Sequence, residues 1–105
     1  MLTPAPPDPD DRGKRWLQAQ VQALLAANAV ALAPPGAEGE PSCSWGTGPA
    51  NDTTLYLRLA GHPEPRALHF NRSLLRDCGG GQYARQAQAA TLIRRTLTKM
   101  GILSA

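Results

Sequence analysis

The segment TTLYLRLAGHPEPRALHF, residues 53–70, decides the fold, because two runs of alternating apolar and polar residues flank a turn sequence. A period of two is typical of β-strands that bury one face. Residues 53–60 and 66–70 are therefore predicted strands. The Gly- and Pro-containing residues between them, 61–65, predict an antiparallel hairpin.

The two faces of this hairpin differ in character. Leu55, Leu57 and Leu59 are predicted to point to one side of the first strand. Leu68 and Phe70 are predicted to point to the same side of the second strand. The opposite face then carries Thr54, Tyr56, Arg58, Ala67 and His69. One apolar face needs a cover, and helices are the available candidates.

A helix is predicted before the hairpin, from about Arg12 to Ala27. Apolar residues recur there at i, i+4, i+7 and i+8, at Leu17, Val21, Leu24 and Leu25. Asn28 is the predicted C-terminal cap. The following residues, 29–32, fit either an extension of the helix or a short strand.

Two helices are predicted after the hairpin. Asn71 can cap a short helix over residues 72–78, which Gly79-Gly80-Gly81 would end as a flexible connector. The last helix runs from about Gln82 to Met100, and Gly101 supplies its stop. Its predicted apolar face contains Tyr83, Ala89, Ala90, Ile93, Leu97 and Met100.

Two segments carry little regular pattern. Residues 1–11 are rich in Pro and Asp and predict a disordered leader, which leaves residues 12–105 as one small domain. Residues 33–53 alternate Pro with Gly and predict a long loop. That loop has room for a short edge strand over residues 42–45, and we expect Trp45 to fold back onto the core.

The predicted fold class is therefore α+β in two layers. A small antiparallel sheet, made of the hairpin and a short edge strand, is covered on one face by the N-terminal and C-terminal helices. Its core is small, so dimerisation would add stability.

Composition limits the class of protein. The chain has 105 residues and a formal net charge of +3, which fits one small domain. It contains no run of apolar residues long enough to span a bilayer, and the N-terminus lacks the pattern of a signal peptide. We therefore expect a cytoplasmic protein that does not bind membranes, with Cys43 and Cys78 reduced.

Few residues could support catalysis, and we expect a protein that is not an enzyme. His62 and His69 are the only histidines, the residue type most often used as a general base, and His62 lies in a turn. Paired carboxylates and clusters of metal-ligating residues are missing from the pattern, so no metal or cofactor is predicted. Gly79-Gly80-Gly81 before a helix could bind an anion, but no Lys-Ser or Lys-Thr follows, as it does in a P-loop.

Candidate binding residues fall into two groups. Arg85, Arg95 and Lys99 project within about 80° of one another on the last helix. Tyr56, Arg58 and His69 share the open face of the hairpin and could bind a ligand or stack a base. From residue 58 onward there are eight basic and two acidic residues, so an anionic partner such as nucleic acid would be attracted to this half.

The segment GQYARQAQAA, residues 81–90, resembles the glycine-then-basic-helix end of double-stranded-RNA-binding domains. The order of a first helix followed by strands is similar too. Gly81 and Gln82, however, stand where that family has paired lysines, and residues 62–81 are too many for its last strand and turn. The chain is not assigned to that family.

These patterns do not determine a function. The hypothesis that fits them best is a small non-catalytic protein-interaction or accessory module, whose partner is another protein or a second copy in a homodimer. The alternative is a nucleic-acid-binding domain that uses the basic C-terminal helix, with Arg58 or Arg66 from the hairpin.

Overall fold

The computed structural model describes residues 9–34, 39, 41–62 and 64–103, and it shows a small α+β fold. Its elements, in chain order, are α1 (Pro9–Ala27), β1 (Cys43–Trp45), β2 (Thr54–Leu57), β3 (Arg66–His69), α2 (Arg72–Gly79) and α3 (Tyr83–Lys99). The predicted class and order of elements are confirmed. The predicted leader lies outside the described residues up to position 8.

The first helix begins earlier than predicted. Residues 9–11 belong to α1 rather than to a leader, and Asp10 and Asp11 occupy its first turn. Carboxylates are favourable there because the first N–H groups of a helix carry partial positive charge. The prediction placed this boundary too late because prolines and aspartates also characterise disordered chain.

The strands form one antiparallel sheet in the order β1-β2-β3. Trp45, Leu55 and Leu68 lie side by side across it. Leu55, Leu57 and Leu59 are buried, which confirms the predicted inner face. Residues 29–32 do not extend α1; instead, Leu32 forms an isolated bridge with Leu59.

Trp45 ties the short edge strand β1 to α1. Its indole Nε1 donates a hydrogen bond to Gln18 Oε1 over 3.2 Å. Its ring lies 5.7 Å from that of Phe70, centroid to centroid, and the ammonium of Lys14 lies 5.9 Å from the Trp45 ring. The predicted edge strand and the inward fold of this tryptophan are both confirmed.

Helix α2 is the main partner of α1. It buries Leu74, Leu75 and Cys78 in the common core. The two helices approach so closely at Gly13 that a Cβ placed there would lie 1.9 Å from the backbone oxygen of Leu75. Only glycine fits at this crossing. The sequence analysis placed only the first and last helices against the sheet and gave α2 no role there. A single glycine such as Gly13 is a weak signal of helix packing in a sequence.

Ion pairs on the protein surface also link α1 to α2. The carboxylate of Asp10 accepts hydrogen bonds from Arg72 Nη1 at 2.8 Å and from Arg76 Nε at 2.7 Å. Arg72 also pairs with Asp52, in the loop between β1 and β2. The hydrogen bond from Arg76, together with the neighbouring Arg72, lowers the pKa of Asp10.

All three helices end in the same way. In each, the three backbone N–H groups that follow the last helical residue bond back to carbonyls near the helix end, and the middle one of the three residues is left-handed. That residue is Gly81 after α2 and Gly101 after α3, but Ala29 after α1. Ala29, with φ 57°, is the only described residue other than glycine with a positive φ. The predicted cap at Asn28 and the stop at Gly101 are confirmed.

The predicted apolar face of α3 is correct only in part. Ala89, Ile93 and Leu97 are buried, whereas Tyr83 is 83 % exposed and Ala90 is also exposed. Tyr83 precedes Ala89 by six positions, about 9 Å along the axis. The first turn of α3 therefore extends past the core, and position around the helix alone did not indicate this.

We expect Gly13→Ala to destabilise the protein by at least about 2 kcal/mol, because the added methyl group meets backbone that cannot yield. In an exposed helix the same change would stabilise by about 1 kcal/mol. Urea denaturation of the variant and the wild type measures the change in the free energy of unfolding. The matched control is Gly80→Ala, where a Cβ would find its nearest neighbours at ordinary distance and φ is −81°. Equal effects of the two changes would contradict the close helix contact.

We expect Ala29→Gly to stabilise the fold by about 1 kcal/mol, because glycine adopts the left-handed conformation without the steric cost of a Cβ. The reciprocal change, Gly101→Ala, should destabilise by a similar amount at the equivalent position of α3. Thermal and urea denaturation of both variants provide the measurement. A loss of stability in Ala29→Gly would show that this residue has an ordinary helical conformation.

Candidate functional site

A groove runs along the surface between α1 and α3. Its narrower part has a volume of about 390 Å³. The walls are formed by Gln20, Ala23, Leu24 and Ala27 from α1 and by Ala90, Thr91, Ile93 and Arg94 from α3. Five of these eight side chains are apolar, and three of the five are alanines, so the walls are mainly apolar and partly formed by small residues.

The groove continues into a wider depression at the C-terminal end of α3. This part has a volume of about 620 Å³ and shares Thr91 and Arg94 with the narrower part. Three cationic side chains line it, those of Arg94, Arg95 and Lys99. No acidic residue lines either part among the described residues. We call the two parts together the α1–α3 groove.

The three cations have no partner among the described residues. Within the described part of the chain, Arg94, Arg95 and Lys99 make no ion pair or side-chain hydrogen bond. Their position near the C-terminus of α3 is itself favourable, since helix C-termini carry partial negative charge. No described residue therefore competes with a partner for their guanidinium and ammonium donors.

Arg85 lies apart from this group. Its Nε donates to Asp77 Oδ2 at 2.9 Å, and its terminal nitrogens donate to Gln88 and Ser73. It also precedes Arg95 by ten positions, about 15 Å along the helix. Of the three predicted residues, the structure thus brings together Arg95 and Lys99, with Arg94 added, while Arg85 joins α3 to α2.

The second predicted group is also divided. Tyr56 and Arg58 line a shallow depression of about 320 Å³ on the outer face of the sheet. His69 does not line it; its Nδ1 lies 3.0 Å from the hydroxyl oxygen of Thr54, the residue opposite it in the sheet. The hydrogen bond to Thr54 fixes the histidine ring against its own sheet.

The glycine run has its backbone donors occupied. The N–H groups of Gly80, Gly81 and Gln82 bond to the carbonyls of Arg76, Cys78 and Asp77, respectively. These donors close the end of α2 and do not point to a ligand. Gly79 ends α2, and Gly80, Gly81 and Gln82 form the turn that connects α2 to α3.

The thiols are poor nucleophiles here. Cys43 and Cys78 are both buried and both free. Burial raises the pKa of each thiol, so the reactive thiolate is disfavoured at neutral pH. No group of three metal-ligating side chains occurs among the described residues. Nor does any helix in that part of the chain have the length and hydropathy needed to cross a bilayer.

The sequence analysis predicted Arg95 and Lys99 as binding residues but not Arg94 or the wall that α1 contributes to the groove. Ala23 and Ala27 are exposed alanines on α1, and an alanine in a helix gives no signal of function. Arg94 points away from Arg95 and Lys99 on a helical wheel, which treats one helix in isolation. Asn28, just after the end of α1, and Leu103, after α3, complete the depression that these three cations line, and the sequence pattern does not show which segments lie side by side.

Comparisons with known proteins add no family to this picture. No family model matches the chain, and no curated protein or solved structure matches it either.

Proposed function

We propose that this protein is a non-catalytic protein-interaction module and that it binds its partner in the α1–α3 groove. The partner we expect is an amphipathic helix that carries acidic residues. One observation supports the proposal above the others: an apolar groove opens directly into three cations that no acidic group among the described residues neutralises.

The shape of the groove favours a helix as occupant. Its walls extend over residues 20–27 of α1 and 90–99 of α3, or about 10 to 14 Å. That length matches two to three turns of a helix. Ala23, Ala27 and Ala90 are small enough for larger apolar side chains of the partner to insert between them, as in other helix-in-groove complexes.

The charge of the groove favours acidic residues at one end of that helix. Arg94, Arg95 and Lys99 contribute three positive charges within about 8 Å of helix axis. Opposite charges there would fix the direction in which the partner lies and speed its association. The apolar part would supply most of the affinity, since exposed ion pairs contribute little.

A nucleic-acid partner is the second candidate, because the same three cations could contact phosphates. They would neutralise about three charges, which predicts a slope near −2.7 for log K against log salt. The apolar walls have no role in this binding mode. A second copy of the chain, as in a homodimer, would use the apolar walls instead.

We expect Ala27→Glu to weaken binding of a helical Leu/Glu peptide at least tenfold, because it places a carboxylate among the apolar walls. The probe is a labelled 16-residue peptide with leucines on one face and glutamates at one end, measured by fluorescence anisotropy. The matched control is Ala26→Glu, an exposed neighbour that does not line the groove. Arg94→Glu should also weaken binding, whereas Arg15→Glu, the same charge change on the exposed face of α1, should not.

Other outcomes assign the groove differently. Absence of peptide binding at 1 mM, or equal effects of Ala26→Glu and Ala27→Glu, would contradict the proposal. Binding of a 20-base-pair RNA or DNA duplex that has the predicted salt slope and is lost only in Arg94→Glu would favour the nucleic-acid candidate. Sedimentation equilibrium tests the homodimer: a dimer that Ala27→Glu dissociates would make the partner a second copy.

A further inference from the structure

A separate cavity lies where the ends of α1 and α3 meet the connection between β2 and β3. Its volume is about 390 Å³, at the lower end of the range for small-molecule sites. Apolar walls come from Val30, Leu59, Met100 and Ile102. It shares no lining residue with the α1–α3 groove.

Two polar side chains, those of Arg66 and His62, line the cavity together with these apolar ones. Arg66 lies opposite Leu57 in the sheet and two residues before Leu68, so it occupies a position on the core-facing side. His62, in the connection between the strands, is exposed at the rim. A cavity that combines apolar side chains with a few polar groups is a common kind of ligand site.

Arg66 has an unsatisfied guanidinium. The residue is half-buried, yet within the described part of the chain its side chain makes no hydrogen bond or ion pair. Its Nε is fully buried and has no partner. Buried polar groups in folded proteins nearly always have partners, because leaving one without a hydrogen bond costs about 1–3 kcal/mol. The terminal nitrogens of Arg66 also lack hydrogen bonds within the described part of the chain but are not fully buried, so they are the donors that a ligand in the cavity can reach.

The surroundings restrict the charge of such a ligand. The backbone of Ala29 and Val30 follows the end of α1, and that of Gly101 and Ile102 follows the end of α3. Both helix ends carry partial negative charge. They favour the cation of Arg66 but repel additional negative charge, so a singly charged anion fits better than a phosphate dianion. A carboxylate also matches the planar fork of a guanidinium.

We propose that this cavity binds a small apolar monocarboxylate, with Arg66 pairing with the carboxylate and the apolar walls enclosing its hydrocarbon part. His62 at the rim supplies a second donor. The cavity volume suits a short-chain acid rather than a long fatty acid. This site does not depend on the proposed protein partner and would function beside it.

Titration with sodium hexanoate tests the site, monitored by amide NMR and calorimetry. We expect saturable shifts at Val30, Leu59 and Ile102, and binding at least tenfold tighter than that of n-hexanol, which lacks the charge. Inorganic phosphate should not bind there. Arg66→Met should reduce hexanoate affinity at least tenfold while leaving hexanol affinity unchanged. Arg95→Met, which removes a cation from the α1–α3 groove, is the matched control.

Several results would overturn the proposed carboxylate site. Hexanoate affinity that Arg66→Met does not change, or that equals hexanol affinity, would overturn the site, as would the absence of shifts at 10 mM hexanoate. Arg66→Met removes no hydrogen bond, so we expect it to fold with an unchanged or higher melting temperature. Arg66→Lys keeps the charge but loses the planar fork, and it should bind hexanoate with intermediate affinity. If Arg66→Met does not fold, the hexanoate affinity of Arg66→Lys tests the proposal instead. An affinity equal to that of the wild type would contradict a planar pairing between Arg66 and the carboxylate.

Discussion

The crossing of α1 over α2 at Gly13 is the contact on which the remaining structure depends. A backbone oxygen of α2 occupies the space that any other side chain would fill, so the two helices pack at the closest range. This contact brings Arg72 and Arg76 to Asp10 and joins α2 to the sheet loop through Asp52. Because α3 follows α2 after a turn of three residues, Gly80, Gly81 and Gln82, its position relative to α1 depends on the same contact. The α1–α3 groove is the space that this arrangement leaves open.

Local patterns predicted the elements, but not which elements touch. The alternation at Leu55, Leu57 and Leu59 located the central strand because burial of one face imposes a period of two. Gly101 predicted a helix end because the left-handed conformation at that position favours glycine for a purely local reason, the absence of a Cβ. Gly13 gave no comparable signal, since its role depends on α2, about sixty residues away in the chain. The exposure of Tyr83 likewise depends on how far the core reaches along α3.

The candidate site was predictable to the extent that it lies on one helix. Arg95 and Lys99 are close in sequence and on a common face, whereas Arg94 and the alanines of α1 join them only in three dimensions. Arg85 belonged to the same pattern, but Asp77 pairs with it across the glycine turn. The fold thus separates two sets of cations. Arg72, Arg76 and Arg85 form one set, which pairs with aspartates between elements. Arg94, Arg95 and Lys99 form the other, which has no partner among the described residues, and the remaining cations belong to neither set.

Amide chemical-shift mapping with the unlabelled Leu/Glu peptide distinguishes the groove from the other face of the molecule. If the groove is the docking surface, the peptide should shift Ala23, Ala27 and Ala90 on α1 and α3, with further shifts at Arg94 and Lys99. The outer face of the sheet, represented by Ser44, Tyr56 and Ala67, should not respond. Shifts confined to that face, with none along α1 and α3, would contradict docking in the α1–α3 groove.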